Sequence, residues 1–330
     1  MSTYQGPAFT MVETISLEDL MNSGGIKDGT KPILVKGAVK NWPAWHKWSF
    51  EMMANLRNKN GTEIIGRFQN GLIEQGKTKK PLYLPIAPYL YNLEDQASKI
   101  QKSSQENIGL LPLKQSKNIA PNSTFYLNWE YLKSFPANMP YLAQWHLLKK
   151  FPEFKRDFEI QQLWKGLRWT WEYVFMGPSH TVTGLHDDFG NNWFCQIRGL
   201  KEFILFTPEE NDAYLSESDK YDWGARLSKV DITKIDQQEE RKLFEKAKGL
   251  YARVEAGDAL YIPKRTWHGV VALEPSISIA VFGLTLKEII TEGLYEEVKS
   301  LTHQLGLHHR NNCACHVMKE TSKKHTLATL

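Results

Sequence analysis

Cysteine is scarce in this 330-residue chain, with only Cys195, Cys313 and Cys315. Three clustered thiols cannot build a disulfide framework, so an apolar core must hold the fold and a reducing compartment is expected. Long apolar runs are missing too: nothing approaches the roughly 18 residues that a membrane-spanning helix requires. The start, MSTYQGPAFTMVET, has no basic head followed by an apolar stretch. No signal peptide is therefore expected, and a cytoplasmic or otherwise intracellular location is the reading. Charge of one sign is also in short supply. The formal excess is +4, part of it from Lys319, Lys323 and Lys324 near the C-terminus, which leaves no concentrated basic face for a nucleic-acid backbone.

Aromatic and apolar residues are abundant. Eleven Trp and fifteen Phe, in a chain 42% hydrophobic and 24% charged, call for one continuous globular core rather than a core with long tails.

The local pattern divides the chain. Residues 14–24 read as a short helix capped by Ser16, with Asp19 three positions on, and stopped by Gly24 and Gly25. KPILVKGAV (31–39) reads as a strand, and the Trp-rich NWPAWHKWS leads to a second helix starting near Ser49. Residues 92–122 are mixed and polar, a loop or insertion. FYLNWEYL (125–132) begins as a strand, and 136–158 reads as short helices broken by Pro140 and Pro152. From Trp164 onward, short β-branched and aromatic stretches separated by Gly, Pro, Asn and Asp predict a sandwich or barrel. Residues 208–253 interrupt them as a charged insertion with one helix, QQEERKLFEKAKGLY. The resulting organisation is 1–124 packing on the core, 125–285 as the main β domain, 286–307 as a C-terminal helix and 308–330 as a flexible tail. Ile289, Ile290, Leu294, Val298, Leu301 and Leu305 fall near one face of that helix, for packing on its own core or for dimerisation.

One stretch carries chemistry: TVTGLHDDFGNNWFCQIRGLKEFILF, residues 181–206. In a strand, His186 and Asp188 project to one side while Asp187 points to the other. A His-x-Asp triplet alone is weak, since it arises easily among ten His. A third ligand is available in EAGDALYIPKRTWHGVVAL, where a Gly257-Asp258 turn and a strand closed by Pro263 precede His268. Two His and one carboxylate form the facial triad of non-haem Fe(II) oxygenases, which leaves three metal positions open, whereas no His/Cys quartet of zinc spacing surrounds His186. A hairpin turning near Arg198-Gly199 brings Lys201 beside the His186 strand. There it is either an exposed edge lysine or a buried cation holding a carboxylate.

The run from Gly177 to Phe206, together with GDALYIPKRTWHGV, resembles the JmjC or cupin-like 2-oxoglutarate oxygenases, in particular the hydroxylase branch that includes the asparaginyl hydroxylase of hypoxia-inducible factor. The likeness extends over most of the chain, with KPILVKGAVKNWPAWHKWS, FYLNW and LSKVDI at corresponding places. It implies an α+β fold built on a double-stranded β-helix (jelly-roll) core with flanking helices. It also implies His186, Asp188 and His268 as iron ligands, with Lys201, Thr183, Tyr126 and Asn192 binding 2-oxoglutarate and Asn128 touching substrate. For Asn192 a turn-forming role, and for Asn128 plain strand-edge polarity, are the alternatives. One departure stands out: Phe282 occupies a position often filled by Asn in such relatives. The implied activity is Fe(II)- and 2-oxoglutarate-dependent dioxygenation that consumes O2, hydroxylates an amino-acid side chain in a protein partner, and releases succinate and CO2. Alternatives are a small-molecule, peptide-metabolite or tRNA-base hydroxylase, or a non-catalytic metal-binding jelly roll. A lysine demethylase is less favoured, since no Cys/His-rich reader module accompanies the region. In the tail, Cys313, Cys315 and His316, near His308 and His309, either bind a second metal or belong to a flexible terminus.

Overall fold

β-Branched and aromatic residues set in short runs between Gly, Pro and Asp pair into two large sheets that face each other. The computed structural model describes the chain except residues 1–3, 27, 28, 30, 71–80, 104–108, 112–118, 121, 137, 138, 165–167, 310, 311 and 314–330. Seven strands form the first sheet, in the order Ala225–Leu227, Val182–Asp188, Trp267–Ala272, Leu200–Phe206, Lys248–Glu255, Ala8–Met11 and Phe125–Tyr126. The second has nine, running from Glu13–Ser16 through Ile33–Lys36, Ala259–Ile262, Asn191–Arg198, Ser276–Leu284, Trp169–Gly177 and Pro140–Trp145 to Ile65–Asn70 and Leu82–Pro85. Two β-sheets with crossing connections and flanking helices are the expected jelly-roll core.

Alternation along the strands sorts side chains into three apolar layers. Phe194, Leu260, Ala280 and Phe282 of one sheet meet Phe203, Leu205, Val254 and Val270 of the other in the inner layer. The outer face of the nine-stranded sheet is covered by Trp42, Trp48, Phe50, Met53 and Leu90 from the N-terminal helices. Phe9, Trp129, Phe206, Tyr251 and Trp267 cover the outer face of the other sheet. Both predicted turns form. Gly199 takes φ 75° in the Lys201 hairpin and Gly257 takes φ 100° before Asp258, conformations that an L side chain adopts only with strain. Buried Asp258 accepts the Gly37 N–H at 3.0 Å and pairs with Lys36 at 2.5 Å, so the Gly-Asp turn ties the Ile33–Lys36 strand to the core.

The Ser16 helix cap forms with its reciprocal Asp19 bond, and Ser49 caps Phe50–Ala54. Four expectations need correction. Residues 92–103 are not loop: they continue the helix Ile86–Ser103, whose Ile86, Ala87, Leu90 and Leu93 are buried at one end of an otherwise polar surface. The segment 136–158 is not wholly helical, because Pro140–Trp145 is a strand whose proline sits at its first position, where a missing N–H is tolerated. Within 208–253, the helix shortens to Arg241–Phe244, and Lys248–Glu255 is a central strand of the seven-stranded sheet. The C-terminal segment does not pack its apolar face on its own core. A π-helical turn, Ile289–Gly293, interrupts it, and Leu286, Ile290, Leu294, Val298, Leu301 and Leu305 are each more than half exposed.

Candidate metal and cosubstrate site

His186 and His268 stand opposite each other on neighbouring antiparallel strands, Val182–Asp188 and Trp267–Ala272. Asp188 follows two positions later on the same face as His186. Ligand atoms of the three residues all lie within 4.8 Å of one another, an arrangement found nowhere else among the described residues. The Asp188 carboxylate is 3.9 Å from His186 Nε2 and 3.7 Å from His268 Nε2.

Hydrogen bonding fixes what each ring presents. His186 Nδ1 lies 2.9 Å from the Gly184 carbonyl and His268 Nδ1 lies 2.9 Å from the Thr266 carbonyl. A carbonyl oxygen only accepts, so each Nδ1 keeps its proton and each Nε2 turns a lone pair toward the site. Burial lowers both imidazoles to about 4, which keeps them neutral, while burial raises Asp188 above the usual carboxylate range. Two neutral imidazole lone pairs and one carboxylate converge within a few ångströms, and a divalent metal fits that donor set.

Thr183 reaches the same pocket by a device that strict alternation forbids, being three positions before His186. The register slips there: Val270 opposes Thr183 while His268 opposes His186, so Gly184 and Leu185 together oppose Gly269 alone. The bulge turns Thr183 to the pocket side with His186.

Lys201 is 2% exposed. Its ammonium sits 5.0 to 5.8 Å from the rings of Phe194, Tyr141 and Phe175, and it donates to the Tyr141 hydroxyl at 3.1 Å. No carboxylate lies within ion-pair distance of it among the described residues, and burial lowers it to about 7. Lys201, His186, Asp188 and His268 line one pocket. Asn192 lines it too, and its buried Oδ1 has no hydrogen-bond partner among the described residues. A buried cation with no carboxylate partner among the described residues, set apart from a ligand triad, is what a chelating dicarboxylate with a distal anionic end would satisfy.

Two expected residues are elsewhere. Tyr126 is 50% exposed on the edge strand paired with Ala8–Met11, and it does not line the pocket. The phenol beside Lys201 is Tyr141 instead. Asn128 is exposed at the start of the helix Trp129–Lys133, where its N–H donates to the Leu110 carbonyl. Tyr141 was hidden because MPYLAQW, with its proline, reads as helix punctuation; its alternation with Ala143 is the signal that marks a strand. Tyr141→Phe is expected to weaken 2-oxoglutarate binding about tenfold, roughly 1.4 kcal/mol, while Tyr126→Phe leaves it unchanged in the same calorimetric titration.

Phe282 lies directly across the strand pair from Asn192 and stacks on Trp171 with ring centroids 5.5 Å apart. It lines the pocket, so an apolar ring stands beside the metal residues. Asp187 and Glu202 face away from the pocket and into protein. Asp187 is fully buried between Arg226 (2.5 Å) and Arg265 (3.3 Å), and Glu202 pairs with Arg253 (3.0 Å) and accepts the Leu110 N–H. Asp187→Ala removes the buried carboxylate that joins two guanidiniums, although Arg226 keeps Asp212 and Arg265 keeps Glu296, and is expected to cost about 2 kcal/mol of stability, measurable as a lower denaturation midpoint. In the C-terminal segment, Cys313 is buried and bridges to Tyr221, whereas Cys315 and His316 lie outside the described residues.

Residues 26–282 match the profile of the cupin-like domain. Jumonji C domain-containing protein 5 of Drosophila melanogaster is 31% identical over 107 residues, covering 32% of this chain and 26% of that protein. JmjC domain-containing protein D of Dictyostelium discoideum is 36% identical over 107 residues, 32% of this chain and 23% of that protein. JmjC domain-containing protein E of the same organism is 24% identical over 276 residues, 73% of this chain and 72% of that protein. The matched stretch thus spans about a quarter of the first two relatives.

Proposed function

The chain belongs to the cupin-like domain family, and from that premise we propose that it is an Fe(II)- and 2-oxoglutarate-dependent oxygenase that hydroxylates a side chain in a protein, releasing succinate and CO2. Dependence on Fe(II) and 2-oxoglutarate is typical of JmjC proteins. The observation that carries the reading is the pairing, in one pocket, of a His-Asp-His triad with a buried, anion-free lysine. A structural metal needs the first but has no use for the second.

His186, Asp188 and His268 would hold the metal through one face. Bound there, Fe(II) supplies the redox chemistry that couples O2 reduction and loss of CO2 from the cosubstrate to oxidation of a C–H bond. Lys201 and Tyr141 fix the distal carboxylate of 2-oxoglutarate by charge-assisted hydrogen bonds in a dry site. Asn192 and Thr183 offer polar atoms along its length. Phe282, Phe203, Val270 and Ile262 exclude water, so that the oxidising equivalent is spent on substrate. A protein substrate is tested by incubating the Fe(II)-loaded enzyme with 2-oxoglutarate and a cell extract depleted of small metabolites. Peptides gaining one oxygen atom with wild type, and not with Asp188→Ala, support the reading. Oxygen gained only by nucleic acid or by re-added metabolites overturns it.

We further propose that the protein pairs with a second copy of itself through the C-terminal helix. Leu294–Gln304 turns its polar side inward: Glu296, 1% exposed, takes a 2.7 Å bond from Arg265, and His303 stacks on Tyr221 with ring centroids 4.1 Å apart. The helix is anchored by charge and ring stacking, leaving its apolar stripe outward. One such stripe is self-complementary about a two-fold axis, and a monomer seldom leaves so contiguous a patch in water. Light scattering is expected to give twice the chain mass, and Leu294→Asp combined with Val298→Asp to give one chain mass without loss of helical signal.

A further inference from the structure

A second, larger depression of about 470 Å³ lies beside the metal pocket. Arg67, Lys149 and Lys150 line it together with His146, and no carboxylate lines it among the described residues. Of the acidic groups near these cations, half-buried Asp222 is shared between Lys220 and Arg67, which also bonds Tyr83, and Glu172 is engaged with Lys155 at 3.3 Å, so Lys149 and Lys150 carry the positive charge of the groove. Lys149 and Lys150 are exposed. The depression adjoins the metal pocket, since Ala143 and Gln144 line both.

Its shape comes from two strands that part. Ile65–Asn70 and Pro140–Trp145 pair only at Gln69 with Tyr141 and Asn70 with Pro140, and diverge from there. On the other side, pairing of Pro140–Trp145 with Trp169–Gly177 is irregular between Leu142 and Trp145. Ala143 and Gln144 therefore have no ladder partner among the described strands, and Gln144 adopts φ 52°. A gap between diverging strands offers main-chain donors and acceptors to an added extended segment, a common way of seating a peptide.

We propose that this groove binds an acidic segment of a polypeptide substrate in extended form, aiming a neighbouring residue past Gln144 toward the metal. The inference rests on the reading of the enzyme as a protein hydroxylase and adds the charge class of its substrate. Exposed cations gathered in one pit select negative charge along a short stretch. Strand-edge groups next to them suit a peptide main chain better than a nucleic-acid backbone, which favours a longer cationic track with stacking platforms.

The test is fluorescence anisotropy of the full-length protein with a short labelled peptide of alternating Glu and Ser. Wild type should bind it, more weakly as salt rises. Lys149→Glu combined with Lys150→Glu should lose at least about tenfold in affinity, about 1.4 kcal/mol, with an unchanged melting midpoint because both side chains are exposed. Lys242→Glu combined with Lys246→Glu, the same charge change outside the groove, should stay within about twofold. No binding by wild type, or equal losses in the two double variants, would overturn the proposal. So would a short oligouridylate that displaces the peptide at lower concentration than unlabelled peptide does, since it would assign the groove to nucleic acid. Substrate-free succinate formation separates the two readings. Peptide binding without succinate leaves the groove and removes the oxygenase assignment, and succinate without peptide binding does the reverse.

Discussion

His186→Ala and Asp188→Ala are each expected to lower conversion of 2-oxoglutarate to succinate by at least about a thousandfold, on the order of 4 kcal/mol of transition-state stabilisation. Both are also expected to abolish retention of one Fe(II) per chain through desalting. The size follows from geometry: three protein ligands occupy one face, so losing any one leaves too few donors to hold the metal in place. The fold should survive. Asp188 is a partly buried carboxylate beside two neutral imidazoles, and its removal takes away a charge that desolvation disfavours rather than a packed apolar group. With both proteins metal-free, the far-UV spectrum of Asp188→Ala should therefore match that of wild type, and its melting midpoint should match or exceed it. Unchanged succinate release in either variant would remove these residues from the chemistry.

Lys201→Met should weaken 2-oxoglutarate binding on the order of a hundredfold, the value of a charge-assisted hydrogen bond to a carboxylate in a dry site. Unlike an alanine, methionine keeps most of the side-chain volume among Tyr141, Phe175 and Phe194. The ligand-free protein should become more stable, because a buried ammonium is replaced by an apolar chain. The same lysine gives a pH signature. Burial lowers it to about 7 in the ligand-free protein, and a carboxylate at hydrogen-bond distance raises it again. Below that value the lysine is already charged and 2-oxoglutarate binds without proton exchange. Above it, binding must take up close to one proton, and affinity falls as pH rises. Calorimetry at pH 6 and pH 8 in buffers of different ionisation enthalpy reads the uptake, which should vanish in Lys201→Met.

Much of this site was legible because its residues sit at fixed offsets within short strands. The period of two placed His186 with Asp188, and Gly199 announced the hairpin that carries Lys201. Thr183 was reached by resemblance alone, since its offset from His186 contradicts alternation until the bulge is seen. Tyr126 was likewise reached by resemblance alone, while the strand that carries the phenol beside Lys201 was hidden because Pro140 disguises it as a break. Long-range pairings were hidden too. Nothing near Asp187 in sequence announces that Arg226 and Arg265 enclose it, and polar composition alone made residues 92–103 look like a loop. The outward apolar face of the C-terminal helix was readable as a stripe. Its orientation was not, because it is fixed by Arg265 and Tyr221, distant in sequence.

The most direct test is aerobic incubation of the purified wild-type chain with Fe(II) and 2-oxoglutarate in the absence of any added substrate, following succinate and CO2. The expected result is slow, equimolar release of both, dependent on Fe(II) and O2, absent with Zn(II), and lost in His186→Ala, Asp188→Ala and His268→Ala. No succinate from protein that retains one Fe(II) per chain, with 2-oxoglutarate failing to bind under anaerobic conditions, would contradict the assignment of this pocket to an oxygenase.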